Sequence, residues 1–419
     1  MSNHRTTAAN RPNRLGWWAA IVALVFASTA LADVATSQPS PGHASPYAAW
    51  KNGPSSRPDY FPIAVWLQDP RNAEQYAQAG INLYVGLWKG PTEQQLAALK
   101  AAGMQVICDQ NAVGLKHKDD PTIIGWMHGD EPDNAQAVPG GKGYGPPIEP
   151  KRIVEDYGKL VAADPARPVM LNLGQGVAWD GWYGRGVRTR HPEDYAEYVK
   201  GCDIASFDIY PVAHDHKDVA GKLWFVASGV ERLRKWASSR PVWNCIECTR
   251  ISSDHKATPQ QVRAEVWMSL VHGSSGLIYF VHEWKPKFNE HALLNDPEML
   301  KAVTAINAQI HKLAPVLNSH PVPDAVTVAT TNPDVPVAVT ARKHDGWLYL
   351  FAVCMRDGRT EAEFIINIPT MESVLIQSIA ADGQAMELIE TVKRGPTRFR
   401  DDFGPWAVHI YRVRLPASQ

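Results

Sequence analysis

Two short apolar runs in this chain end on carboxylates. Ile123-Ile124-Gly125-Trp126-Met127 leads through His128 and Gly129 into Asp130-Glu131-Pro132, and Pro241-Val242-Trp243-Asn244-Cys245-Ile246 leads into Glu247. Pro132 cannot donate to a strand ladder, so the first run stops being a strand where its acids begin. In a parallel α/β sheet the carboxyl ends of the strands are where reacting groups collect. Two carboxylates on either side of an acetal bond can divide the work of breaking it. One, held protonated, donates to the leaving oxygen, and the other attacks or supports the carbon that oxygen leaves. The expectation is that Glu131 and Glu247 face one another across a cleft.

Such a pairing needs a scaffold that brings distant strand ends together. Strand patterns run over Pro62 to Gln68, Ile81 to Trp88, Gln105 to Gln110, Ile123 to Gly129, Pro168 to Leu173, Ile204 to Tyr210, Pro241 to Cys248 and Gly276 to Glu283. Helical patterns alternate with them, except between the third and fourth, where Asp119-Asp120-Pro121 offers at most a very short helix. This alternation predicts an α/β fold, a (β/α)8 TIM barrel over 60–315, with Glu131 ending strand four and Glu247 strand seven. A doubly wound open sheet is the alternative, but no GxGxxG follows the first strand. After Pro315 short strands are separated by turn signals such as His344-Asp345-Gly346 and Asp382-Gly383, which predicts a small antiparallel β-sandwich over 320–419.

The chain has 419 residues, 45% of them hydrophobic, and a formal net charge of -1, so no field recruits nucleic acid or an anionic membrane. A neutral partner fits better, and 15 Trp residues supply rings that can stack on one. Residues 1–32 read as a signal peptide, with Arg5, Arg11 and Arg14 before the apolar run Leu15 to Leu31 and the small-residue site Ala30-Leu31-Ala32. That run is slightly short for a spanning helix, so a retained anchor is the lesser alternative. The mature protein is expected to be secreted or periplasmic. Residues 33–59, rich in Ser, Pro, Gly and Ala, read as a disordered linker. Cys108, Cys202, Cys245, Cys248 and Cys354 are odd in number and lack a second close pair, so buried free thiols are expected.

The layout resembles the clan A retaining glycoside hydrolases, (β/α)8 enzymes whose acid/base glutamate ends strand four and whose nucleophile ends strand seven. The resemblance covers the barrel and implies Glu131 as acid/base, Glu247 as nucleophile, a carbohydrate substrate, and no cofactor or metal. In Ser206-Phe207-Asp208-Ile209-Tyr210-Pro211, Tyr210 resembles the tyrosine that steadies the nucleophile in many clan members, and Trp284 resembles the clan's sugar-stacking Trp. This chain departs from the clan in one place, carrying Asp130 where Asn normally precedes the acid/base and helps hold the sugar 2-hydroxyl.

Other strand-end residues fit the same cleft. Trp88 is a second wall; Trp179, Trp182 and Tyr183 are subsite rings in the loop after strand five; Asp109, Asp130, Asn172 and Asp208 are hydroxyl-binding candidates. The glycine-rich stretch Pro139 to Pro147 has no phosphate-cradle order and reads as a wall beside Glu131. Two other functions stay open. His128, Asp130, His214, Asp215, His216, His272 and His282 are the ligand types of a metal-dependent TIM-barrel hydrolase, although strand one offers no HxH pair. A non-catalytic glycan-binding protein would use the same rings but need neither glutamate.

Overall fold

The computed structural model describes residues 45–251, 253–367, 375–380, 385–388 and 397–415. The expected signal peptide and the first part of the expected linker lie outside the described residues.

Eight parallel strands close into a barrel in sequence order, with the last pairing the first. They are β1 (Ile63–Trp66), β2 (Leu83–Val85), β3 (Gln105–Asp109), β4 (Ile123–Asp130), β5 (Val169–Leu173), β6 (Ile204–Phe207), β7 (Val242–Glu247) and β8 (Gly276–Phe280). Closure is set by the register Ala64 opposite Leu83 on one side and Ile278 on the other. Alternation sorts the side chains: Ala64, Leu83, Val85, Ile107, Met170, Ile204, Trp243, Cys245 and Ile278 fill the barrel. Val65, Tyr84, Val106, Leu171, Ala205 and Leu277 face the helices.

The helices are α1 (Ala73–Gln78), α2 (Glu93–Ala101), α3 (Ala112–Lys116), α4 (Pro150–Ala163), α5 (Tyr195–Tyr198), α6 (Trp224–Ala237), α7 (Pro259–Val271) and α8 (Pro297–Leu317). Capping fixes where several begin. Thr92 with Gln95 and Thr258 with Gln261 form capping boxes, and Asp296 caps α8 ahead of Pro297. The short helix between β3 and β4 is α3, started by Asn111 accepting from the Gly114 N–H, and not the Asp119-Asp120-Pro121 turn that the sequence suggested.

Beyond α8, β10 (Val337–His344), β11 (Trp347–Cys354), β16 (Val408–Arg414), β13 (Ile376–Ile379) and β14 (Ala385–Leu388) form one antiparallel sheet, in that order. A second holds β15 (Thr397–Phe403), β12 (Thr360–Ile366) and β9 (Val326–Thr330). Asp345 and Gly346 both have positive φ, as the two-residue turn between β10 and β11 requires. Strand β15 escaped the sequence reading although Thr397, Phe399 and Phe403 are buried and the arginines between them are not. The sandwich docks on α7, where Trp267 stacks on Phe351 of β11 with centroids 5.5 Å apart.

Residues 45–59 correct the linker expectation. Tyr47 is buried within the barrel, where its hydroxyl donates to the Ser275 carbonyl at 2.8 Å and accepts from the Trp243 indole N–H at 2.8 Å. Composition marks this stretch as polar, but one aromatic side chain with two buried partners is enough to order it. Tyr47→Phe should strand both partners and lower unfolding free energy by about 1–3 kcal/mol, read by denaturant titration. An unchanged midpoint would mean that the hydroxyl bears no load.

Candidate active site

The acids at the end of β4 owe their aim to a break in strand register. Met127 pairs with Met170, but Gly129 pairs with Leu171 and Asp130 with Asn172, so His128 is the extra residue of a bulge. Without it Asp130 would face the helices. With it, Asp130 shares the inward face with Asn172, whose amide N–H donates to the Asp130 carboxylate at 3.0 Å. The Ser206 hydroxyl donates in turn to the Asn172 carbonyl at 2.7 Å, which fixes the amide's orientation.

Glu131 follows with φ of 45°, a left-handed conformation that a glutamate rarely adopts. Its backbone N–H donates to the Asn172 carbonyl, and its own carbonyl accepts from Asn134 N–H and from the Gln136 amide. Asp133 completes the turn: its buried carboxylate accepts from Gly174 N–H at 2.9 Å and from the Tyr195 hydroxyl at 2.7 Å. Asn134 accepts from the Trp182 indole at 2.7 Å, which ties the β4 loop to the β5 loop.

Four acids therefore crowd one rim. Burial, then the charges of Asp208, Asp130 and Asp133, hold the Glu131 carboxyl well above the usual glutamate range, and its carboxyl is in hydrogen-bonding range of Asp208. Asp208, just past β6, is pushed by burial and by Asp130 from 3.8 to about 7, against the opposing pull of Glu131 and the Tyr210 hydroxyl. The proton rests on Glu131 and the charge on Asp208. Asp130 is also raised, chiefly by burial, although part of its surface reaches a cleft of about 900 Å³. The two facts agree for a carboxylate walled by protein but open to the cleft's solvent.

That cleft lies over β1, β2, β4 and β8. Trp66, Trp88, Asp130, His282, Trp284 and Phe288 line it, with Asp69, Arg71 and Glu290 at its polar side. Trp88 is 65% exposed, and Trp284 and Phe288 pack at 4.7 Å while each stays 51% exposed. On the far side of the acids the β5 and β6 loops carry a second cluster. Trp182 lies 4.7 Å from Tyr183, and Trp179 lies 4.7 Å from His216.

The structure gives several of the expected site residues surroundings that the sequence did not announce. Glu247 is enclosed by the loop after β6 and by α7. It is fully buried, its two oxygens accept from Val212 N–H at 2.6 Å and Ala213 N–H at 2.7 Å, and the acid beside it is Glu265 of α7. Burial raises it from 4.5 to about 7. Tyr210 lies beside Asp208, whose carboxyl its hydroxyl pulls down, and packs on Phe280 at 5.1 Å. Trp179 is buried, so the open ring of its loop is Tyr183, 64% exposed. Asp109 ends β3 and is raised by burial without joining the acid cluster. Trp88, Trp284, Asp130, Asn172 and Asp208 lie at the mouth. Phe288, Arg71 and Asp133 went unremarked in the sequence; Asp69-Pro70 closing the first strand was the available signal for the polar side.

The histidines are spent elsewhere. His128, His272 and His282 meet the carbonyls of Ile153, Met268 and Leu67. His214 accepts the His216 N–H on Nδ1 and donates from Nε2 to Gln175, a neutral imidazole whose pKa burial and His216 lower. No metal-ready group of three ligands occurs among the described residues. All five cysteines are buried and unpaired.

No family model and no curated protein matches the sequence. Among solved structures, one described as a glycoside hydrolase aligns with a TM-score of 0.54 at 13% identity, covering 86% of this chain and 94% of its own. A maltogenic α-amylase from Thermotoga neapolitana aligns at 0.47 with 10% identity over 84% of this chain and 98% of its own. A GH30 endoxylanase from Clostridium papyrosolvens aligns at 0.45 with 11% identity over 88% and 98%. The first establishes the fold, a (β/α)8 barrel followed by a β domain; the other two, at lower scores, carry no further weight.

A carboxyl raised in the folded chain binds its proton more tightly there than in the unfolded chain. Its stabilising effect is complete below the unfolded pKa and is lost as pH rises through the folded one. With Asp208 and Glu247 both pushed to about 7, stability should fall as pH rises between about 5 and 7. Asp208→Asn should flatten that fall. Thermal melts across the window check this, and equal slopes in both proteins would refute the assignment.

Proposed function

We propose that this chain is an exported O-glycosyl hydrolase, secreted or periplasmic, acting on carbohydrate. The carrying observation is a strand-four glutamate held protonated by an adjacent carboxylate at a barrel mouth walled with aromatic rings. A general acid must keep its proton until the leaving oxygen arrives, and Asp208 does this for Glu131. Rings at Trp88, Trp284 and Phe288 offer apolar faces to a pyranose, while Asp69, Arg71 and Glu290 offer hydroxyl partners.

For the second carboxylate Asp130 is the better-placed group, because it opens on the cleft where Glu247 does not. In a retaining double displacement, an Asp130 oxygen bonds to the anomeric carbon as the glycosidic bond breaks, and Glu131 gives its proton to the departing oxygen. Glu131, now a carboxylate, takes a proton from water; that water attacks the anomeric carbon, and Asp130 leaves as carboxylate. Asn172 holds Asp130 throughout. The position of Glu247 at the end of strand seven favours the alternative in which it is the nucleophile, but that role requires the Val212–Ala213 segment to give up its carboxylate.

A panel of aryl glycosides and polysaccharides distinguishes these readings. Glu131→Gln should lower kcat by about 10²- to 10⁴-fold on glycans, and by less on aryl glycosides with good leaving groups. Asp130→Gly should lose turnover and, with azide, regain it as a glycosyl azide. Azide rescue of Glu247→Gly instead would return the nucleophile to strand seven, and wild-type inactivity across the panel would defeat the hydrolase reading.

A further inference from the structure

Two fully buried acids, Glu247 at the end of β7 and Glu265 on α7, take no part in the Asp130–Glu131 chemistry. A buried acid pair is a poor way to fill space, since apolar residues of the same size cost no desolvation. What an acid can do there is hold donors. Glu247 grips two successive backbone N–H groups, Val212 and Ala213, one on each oxygen. Neither oxygen of Glu265 has an N–H or O–H donor among the described residues, yet its carboxyl is within hydrogen-bonding range of Glu247. One proton between the two carboxyls satisfies both statements: Glu265 donates, and Glu247 carries a charge met by three hydrogen bonds.

The segment gripped in this way is the one that carries Asp208 and Tyr210. Asp208 is anchored at its own N–H by the Leu173 carbonyl, and Pro211 accepts from Gly221 N–H. Tyr210 and Ala213 turn inward to the barrel core beside Phe280. Between these points the carboxylate of Glu247 decides where the backbone runs. We propose that Glu247 and Glu265 form a one-proton clamp that positions the Asp208–Ala213 loop, so that Asp208 meets Glu131; Glu265 acts through Glu247 as a positioning residue. The catalytic consequence rests on the function proposed above, whereas the clamp itself does not.

The test uses the full mature chain and two readouts. Glu265→Gln keeps a donor toward Glu247, and Glu265→Met removes it at similar volume. In Glu265→Met, amide exchange over 209–216 should quicken by about ten- to a hundredfold relative to wild type, as expected when a buried carboxylate loses a donor. In Glu265→Gln it should stay within a few-fold. On any substrate the enzyme turns over, kcat should follow the same order while KM changes little, with the glutamine variant retaining most of the activity. Unchanged exchange in a folded Glu265→Met would overturn the clamp whatever the activity. Equal exchange in the two variants would do the same, because the donor would then be irrelevant. Faster exchange confined to Glu265→Met, in a protein that hydrolyses no glycoside, would uphold the clamp and count against the hydrolase reading alone.

Discussion

Like charges cannot be gathered at one rim unless protons or donors are supplied with them, and this constraint shapes the mouth of the barrel. Asp130, Glu131, Asp133 and Asp208 lie close enough to raise one another. Each is met differently. Asp133 is neutralised by geometry, through Gly174 N–H and the Tyr195 hydroxyl. Asp130 has the Asn172 amide and the cleft's solvent. Among the described residues Asp208 and Glu131 are met chiefly by each other and by Tyr210, and one proton held between them relieves the pair. The donors that surround the cluster set which carboxyl keeps that proton, and hence which is an acid and which a base.

The scaffold serves this arrangement through departures from regularity. A bulge at His128 turns Asp130 inward, and positive φ at Glu131 sends the next carboxyl toward β6 and away from β3. Left-handed non-glycine residues also end β1 at Leu67 and follow β2 at Lys89, where the cleft has its wall. Such conformations persist only where surrounding hydrogen bonds overdetermine them. Around Glu131 those bonds come from Asn172 in the neighbouring strand β5 and from Asn134 and Gln136 in the loop after β4.

Much of this was legible in the sequence, and the parts that were not share a cause. Eight strands and their order follow from hydrophobic runs and turn residues, which are local. That Glu131 stands at the end of strand four is equally local, because Pro132 ends the strand. The partner of Glu131 was not legible, because it depends on register. A single inserted residue exchanges the faces of a strand, and the sequence around His128 carries no mark of it. Glu247 shows the converse: its place at a strand end was legible, but the loop after β6 folds over it and supplies donors from the main chain, which no side-chain pattern announces. Tyr47 was missed for a related reason, since one ring in a polar stretch has no period to reveal it.

The distribution of exposed apolar surface separates the working face of the barrel from the rest. Among the described residues the exposed large hydrophobic side chains are Trp88, Val138, Tyr144, Tyr183, Val187, Trp284 and Phe288. All lie in loops that follow β2, β4, β5 or β8, at the carboxyl ends of the strands. The sandwich contributes none of them: Phe364, Phe399, Phe403 and Tyr411 pack inside it, and Trp347 is half-buried beneath Arg412 and Arg414. Its contact with the barrel is made on α7. That helix is buried along most of its length, and it presents Trp267 to the sandwich and Glu265 to the strand-seven carboxylate. Docking the sandwich thus braces the helix whose other face fixes the β6 loop, and a domain remote from the cleft acquires a physical route to the acids within it.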